Sequence, residues 1–342
     1  MFAVRHYITL CVVCLLLVSC NKHKTETSFY FWKTRGGVDA SEREAMHTLQ
    51  ANVLYTRLFD VDVDKESGQP IPVGTIRHLD SLAGWQIIPV VYITNRTMLG
   101  TRTDSVAGLA GHIYKKINTL MKGHSFHEFQ IDCDWSDKSQ EAYFQLLKTL
   151  KTLAGPEKQL SATIRLHQVK YKQRTGIPPV DKGMLMYYNM GNLHDPKETN
   201  SIYNPEDAGR YVSYAASYPM HLDVALPIFS WQVQQRDKKI IALLSGGQIP
   251  DESDTSRFAM QKKGELYTVK HSFLQDGLYF MEQDELRTER LSSDELLAAA
   301  TQLSEHLNDD GQIRRIVFFD LNDFHISYYG TKTLEKTVAV FN

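Results

Sequence analysis

The sequence predicts an α/β protein, a (β/α)8 TIM barrel with a small α+β insertion between its seventh and eighth strands. Three observations predict it. Eight short apolar runs alternate with stretches of helical period, as βα units around a parallel sheet require. The 342 residues exceed the roughly 250 of a plain barrel by enough for an insertion. The glycine-rich phosphate turn that opens many doubly wound sheets does not occur after the first run.

Residues 1–19 open with Arg5 and His6 and continue as an apolar run over 7–18, shorter than the roughly 20 residues that span a bilayer. They are expected to be an export signal. The signal ends Leu17-Val18-Ser19-Cys20, which resembles the bacterial lipobox, where cleavage precedes the cysteine and its thiol takes a diacylglyceryl chain. Cys20 is therefore the expected lipidation site and membrane anchor, in the inner or the outer membrane of a bacterial envelope, with an uncleaved signal anchor as the alternative. Of the four cysteines, Cys11, Cys14, Cys20 and Cys133, only Cys133 remains in the folded body, so neither an internal disulfide nor a thiolate metal centre is expected. Residues 20–28 are polar and read as a tether, and the barrel is expected over 29–342.

Hydrophobic residues make up 42% of the chain and aromatic ones 11%, enough for a sizeable core, while the 20 glycines and 11 prolines follow no period. Collagen, coiled coil and disorder are excluded. Lysines and arginines number 38 against 40 aspartates and glutamates, and a net charge of −2 supplies no basic field, so no nucleic-acid partner is expected. The 13 histidines show no H-E-x-x-H spacing, and His124 and His127 lack a third ligand, so no metal and no other cofactor is expected.

The eight strand candidates are 29–32, 53–59, 86–93, 128–134, 160–167, 184–189, 222–229 and 315–320. Helix candidates are 41–50, opened by the cap-like Asp39, then 104–121, 138–153, 205–218, 293–307 and 331–341. The stretch 232–292 is too long for one crossover helix. Its second half reads as short antiparallel strands separated by turns such as Gln275-Asp276-Gly277, and it is the expected insertion.

Chemistry in such a barrel sits at the carboxyl ends of the strands. The fourth run places Gln130, Asp132 and Asp134 on one face and Ile131 and Cys133 on the other, so the polar face is expected inside. Two carboxylates at i and i+2 stand roughly 6 to 7 Å apart, an arrangement for acid and base work or for tying the barrel together. The fifth run offers Arg165 and His167 on one face. If Arg165 pairs with one aspartate, that one becomes an orienting group and leaves the other aspartate or His167 to titrate. Tyr188 and Asn189 end the sixth run, Trp231 and Trp32 end the seventh and first, and Arg57, Asp60 and Tyr92 stand near the ends of the second and third. Aromatic rings at that rim can stack on sugars, and each can equally be core.

The order of these features resembles the chitinase-type family-18 glycoside hydrolases. Ile131-Asp132-Cys133-Asp134-Trp135 is similar to the family's I-D-x-D-W, Leu160-Ser161-Ala162 to its fifth-strand opening, and Met186-Tyr187-Tyr188-Asn189 to its M-x-Y-D. The resemblance implies a glycan ligand, with Asp132 and Asp134 as catalytic residues and Arg57, Tyr92, Arg165, His167, Tyr188, Asn189, Trp231 and Trp32 as substrate-binding ones. The chain departs from the pattern where Ser136 stands for the family's glutamate acid, Asn189 for its aspartate, and Glu128-Phe129-Gln130 for its glycine segment. A serine hydroxyl is a negligible acid at neutral pH, which removes the family's proton donor. A second resemblance is to a group of bacterial lipoprotein barrels that keep the paired aspartates without the glutamate.

Two main readings follow. In one the protein hydrolyses a glycan, with protonation by Asp134, made more basic by burial beside Asp132, or by a loop acid such as Asp320 or Asp323. In the other it binds carbohydrate without cleaving it. A third makes it a structural partner of an envelope protein, contacted through the insertion.

Overall fold

The computed structural model describes residues 25–195, 198–246, 249–262 and 265–342. Residues 1–24, with Cys20, the expected signal and the start of the tether, lie outside them. Strand β1, Thr25–Phe31, begins inside the segment expected to be tether, because Thr25 to Phe29 pair in parallel with the last strand of the barrel. Strands β2 (Val53–Val63), β3 (Pro70–Val73), β4 (Gln86–Ile93), β5 (Glu128–Asp132), β6 (Gln159–Arg165), β7 (Lys182–Met186) and β8 (Leu222–Pro227) follow. The insertion contributes β9 (Trp231–Arg236), β10 (Lys239–Leu244), β11 (Phe258–Lys262), β12 (Leu266–Val269), β13 (Phe273–Gln275), β14 (Leu278–Phe280) and β15 (Glu285–Glu289) before β16 (Arg314–Phe319).

Strands β1, β2, β4, β5, β6, β7, β8 and β16 pair in parallel, and the additional pairing of β1 with β2 closes the ring. The fold is a (β/α)8 TIM barrel. Helices form where an apolar stripe at helical spacing can lie against the outer faces of these strands. Val106–Leu120 buries Val106, Ala110, Ile113 and Ile117, and Gln140–Ala154 buries Tyr143, Leu146, Leu147 and Leu150. Helix Ala40–Thr48 starts at Asp39, which accepts from the Glu42 N–H while Glu42 accepts from the Asp39 N–H, a reciprocal cap.

In the insertion, β9, β10, β11, β12 and β15 form one antiparallel sheet, and β13 and β14 a hairpin. That hairpin turns at Asp276 and Gly277, whose φ values of 50° and 79° are the left-handed geometry a two-residue hairpin needs. Trp231, expected at the end of the seventh barrel strand, instead opens β9. Its partner Glu289 lies on β15, and this long-range antiparallel pair draws it into the insertion's sheet.

The barrel interior is polar in layers. At the end where the strands begin, Lys182 Nζ lies 2.7 Å from Asp223 and 2.9 Å from Glu128, and Arg315 Nη1 lies 2.8 Å from Glu128. His221 bridges Asp223 and Asp310, at 3.3 and 2.6 Å. One layer higher the Tyr30 hydroxyl donates to Gln130 Oε1 at 2.5 Å, and Gln130 Nε2 donates to Ser161 at 3.4 Å. These side chains thus satisfy one another in pairs, which is the condition for burying them, although Glu128 Oε1 itself has no partner among the described residues. Outside this end, Thr25 Oγ1 donates to Asn342 Oδ1 at 2.9 Å, so the start of β1 and the last residue meet there.

Burial alone would raise the Asp223 carboxyl, but the His221 bond, the Lys182 ammonium and the Arg315 N–H outweigh it and hold it at about 2. Burial would likewise lower His221, and its two aspartates raise it above the ordinary imidazole value of 6.5. Asp223 therefore stabilises above the ordinary carboxylate value and loses that contribution as pH falls toward about 2. His221 stabilises below the ordinary imidazole value and loses its contribution as pH rises through its raised one. Asp223→Ala is expected to cost about 3–5 kcal/mol in denaturant unfolding, because it removes a buried carboxylate shared by Lys182, His221 and the Arg315 N–H. The loss of melting temperature in His221→Gln should be larger at pH 5.5 than at pH 8.5.

Candidate functional site

Strand β16 ends at Phe319, and this ring is the centre of the rim. Its centroid lies 5.4 Å from Tyr30, 5.3 Å from Trp32, 5.5 Å from Tyr188 and 5.7 Å from Phe229. Four strands thus supply one aromatic floor. Sequence reasoning found Trp32 and Tyr188 but passed over Phe319 and Phe229, although both close apolar runs just where a rim residue must stand. Trp231 sits 5.4 Å from Phe229 at the edge of this floor, its indole N–H donating to Glu289 at 2.8 Å.

The carboxylates surround the floor. Asp132 ends β5, is buried, and accepts from Thr163 Oγ1 at 2.7 Å. Asp134 lies just past the strand, half exposed, and both its oxygens accept from Arg165, from Nε at 2.5 Å and Nη2 at 2.9 Å. Arg165 also lies over the Tyr188 ring, 5.9 Å from its centroid. The bidentate fork fixes Asp134 in position. The expectation that burial would make Asp134 the proton donor is therefore corrected. Asp134 is the more exposed of the two, and the guanidinium takes both its oxygens.

Asp132 is the group that burial perturbs. Desolvation, then the negative charge of Asp134, push it up to about 6, against the opposing effects of Arg165 and the Thr163 bond. Beside it, Tyr92 on β4 is raised to about 12 by burial and by the two aspartates. Arg57 pairs with Asp60 at 2.6 Å and lies 5.4 Å from the centre of the Trp32 ring.

His167 is not on a strand. Strand β6 stops at Arg165, whose N–H donates to Gln168 Oε1 at 2.8 Å, and the chain turns into helix Leu166–Lys170. The imidazole still reaches the mouth of the site. Partial desolvation and the Arg165 charge hold it below its ordinary value, so it is neutral at pH 7. Tyr188 and Asn189 likewise stand beyond β7. Asn189 takes a φ of 55°, a left-handed conformation that asparagine tolerates.

A cavity of about 500 Å³ opens beside the aromatic floor, lined by Asp134, Arg165, His167, Tyr188, Asn189 and Tyr211 among others, while Asp132, Tyr92, Arg57, Trp32 and Trp231 do not line it. Tyr211, from helix Pro205–Val212, was not found in the sequence because nothing local marks a helical tyrosine as rim-facing. Ser136 contributes no acid. Its N–H donates to Ser139 Oγ at 2.9 Å, and Ser139 donates to Asn95 at 2.6 Å, so the serine builds the turn before helix Gln140–Ala154. Asp320 lies 3.2 Å from His325, and Asp323 accepts from Ser41. His124 faces Asp80 at 3.0 Å. No group of three histidines, cysteines or acids among the described residues is placed to hold a metal. A larger cavity, about 790 Å³, lies between insertion and barrel, where Phe258, Met260, Tyr267, Arg290, Phe324 and His325 line it and the motif residues do not.

With this geometry in place, solved structures can be compared. The spore cortex-lytic enzyme SleL of Bacillus cereus superposes with a TM-score of 0.57 at 13% identity, over 94% of this chain and 76% of that one. The chain shares the (β/α)8 barrel fold of that enzyme. SleL of Bacillus megaterium gives 0.55 at 14% identity over 92% and 75%. A chitinase from Bacteroides thetaiotaomicron gives 0.53 at 11% identity over 92% and 96%. No protein-family model matches the sequence, and no curated protein matches it. The chain thus shares a fold with these enzymes at low identity.

Charging Asp132 costs folding free energy as pH rises from its ordinary value of 3.8 through about 6. Asp132→Asn keeps an oxygen for Thr163 and removes that cost. The variant is expected to melt at a higher temperature than wild type at pH 7.5 and to lose this advantage at pH 4, as differential scanning calorimetry will measure.

Proposed function

We propose that the rim binds a saccharide and does not cleave it, and that the protein is held to a bacterial membrane by a lipid on Cys20. The observation that carries the first part is the bidentate Arg165–Asp134 pair, formed where Ser136 occupies the place of an acid. Hydrolysis needs a proton delivered to the leaving oxygen. Both Asp134 oxygens are engaged by the Arg165 guanidinium, and the serine hydroxyl is too weak an acid. What remains is a concave site walled by Tyr188 and Tyr211, with an aromatic floor beside it and hydrogen-bonding groups at its edge, which suits a sugar's apolar face and its hydroxyls. The enzymes that share the fold, a chitinase and spore cortex-lytic enzymes by name, support a saccharide as the class of ligand.

One observation favours a second reading. Asp132, raised to about 6, carries a proton into the range where an acid catalyst works. Sugar release at pH 5 that disappears in Asp132→Asn would establish hydrolysis instead.

Full-length protein in detergent, titrated against a glycan panel, is expected to bind one glycan class and release no reducing sugar. Trp32→Ala should weaken that binding by about 1–3 kcal/mol, the worth of one stacked ring on an aromatic face. If no glycan binds, the exposed Ile241, Leu243, Met260, Leu274, Tyr279 and Met281 of the insertion make a protein partner the reading to take up.

The anchor rests on the Leu17 to Cys20 box. Cys20→Ser should leave an uncleaved precursor or release the protein from membranes. Wild-type processing and wild-type partition into detergent in that variant would refute the anchor.

A further inference from the structure

Beside the rim cavity three tyrosines gather around one lysine. Lys170 Nζ lies 5.4 Å from the ring centre of Tyr171, 4.9 Å from that of Tyr211 and 5.7 Å from that of Tyr214. Tyr211 lines the cavity, whereas Tyr171 and Tyr214 face solvent at 41% and 42% exposure. Lys170 also stands one turn after His167 on helix Leu166–Lys170, and residues three apart share a helix face. His167 lines the same cavity. The lysine is therefore placed at the end of the cleft.

The arginines around it are each paired with a carboxylate. Arg165 is paired with Asp134, Arg174 with Asp137 at 3.0 Å, and Arg210 with Asp207 at 2.8 Å, while Lys172, away from the cavity lining, has two acceptors on Ser217. Lys170 is left with less. Its ammonium donates one hydrogen bond, to the Arg210 carbonyl at 3.0 Å, and among the described residues no carboxylate forms an ion pair with it. An ammonium has three donors, so capacity remains for an acceptor from outside. The tyrosine faces hold the charge by cation–π attraction and restrict the lysine's rotamers, so part of the ordering cost of binding is met beforehand.

We propose that Lys170 with Tyr171, Tyr211 and Tyr214 is a subsite for the carboxylate of an acidic sugar, whose neighbouring residue lies in the rim cavity. The ligand is then an acidic oligosaccharide that leaves the cavity over Tyr211, not a short neutral one. This inference rests on the saccharide-binding reading and adds the class of saccharide.

The test compares chitotetraose with the same tetramer oxidised at C6 to the uronate, titrated calorimetrically into full-length protein in detergent. The expected result is tighter binding of the oxidised form by about tenfold or more, the worth of a hydrogen-bonded charge. That ratio should shrink between about 0.05 and 0.5 M salt as screening shortens the reach of the ammonium. Lys170→Gln should bring the ratio of the two dissociation constants close to one, and Lys170→Arg should restore it. If wild type binds both sugars equally, or Lys170→Gln keeps the preference, the subsite is overturned while saccharide binding stands. If neither sugar binds, both fall.

Discussion

Closing eight parallel strands into a ring removes every sheet edge, and it also encloses a column of space that inward side chains must fill. In this protein much of that column is polar. A polar filling is stable only if each group finds a partner, and the requirement propagates through the structure. At the base it produces the charge cluster of Lys182, Glu128, Asp223 and Arg315, and in the middle the Tyr30–Gln130–Ser161 chain of hydrogen bonds. At the rim it produces the Asp132–Thr163 bond and the Asp134–Arg165 fork. The chemistry of the rim is thus the top layer of a packing problem. Two aspartates two residues apart end in different surroundings, one buried beside a threonine and the other held by a guanidinium.

The sequence shows the strands clearly, because alternation and β-branched runs are local. Their ends are less legible. Strand β6 was read through His167, yet the chain turns into a helix one residue after Arg165, where Gln168 accepts from the Arg165 N–H. A cap of that kind is visible in principle as a glutamine three residues on, although an alternating pattern masks it. Trp231 was read as the end of a barrel strand because nothing nearby marks a pairing with Glu289 on β15. Which aspartate Arg165 would choose was undetermined for the same reason. Its choice depends on the position of the strand ends in space, not on spacing along the chain.

The aromatic floor has the opposite history. Phe319, Tyr30 and Phe229 read as ordinary core residues, and by exposure Tyr30 and Phe229 are buried. Their convergence becomes visible only when β1, β8 and β16 lie side by side. A barrel sorts residues into site and core by height along the strand, a coordinate that composition does not carry. Residues at equal height in different strands can be distant in sequence, which is why a motif search finds the fourth strand and misses the eighth.

The hydrogen bond from Thr25 to Asn342 fixes more than the two residues it joins. All the barrel strands run from that pole toward the rim, so polypeptide joined ahead of residue 25 departs from the pole opposite the cleft. Four residues lie between Cys20 and Thr25, and the five chain steps span at most about 18 Å when fully extended, shorter than a path around the barrel. A lipid on Cys20 would keep the closed pole against the bilayer and turn the cleft outward. The protein would then meet polymers standing above the membrane and be turned away from sugars carried by the lipids of its own leaflet.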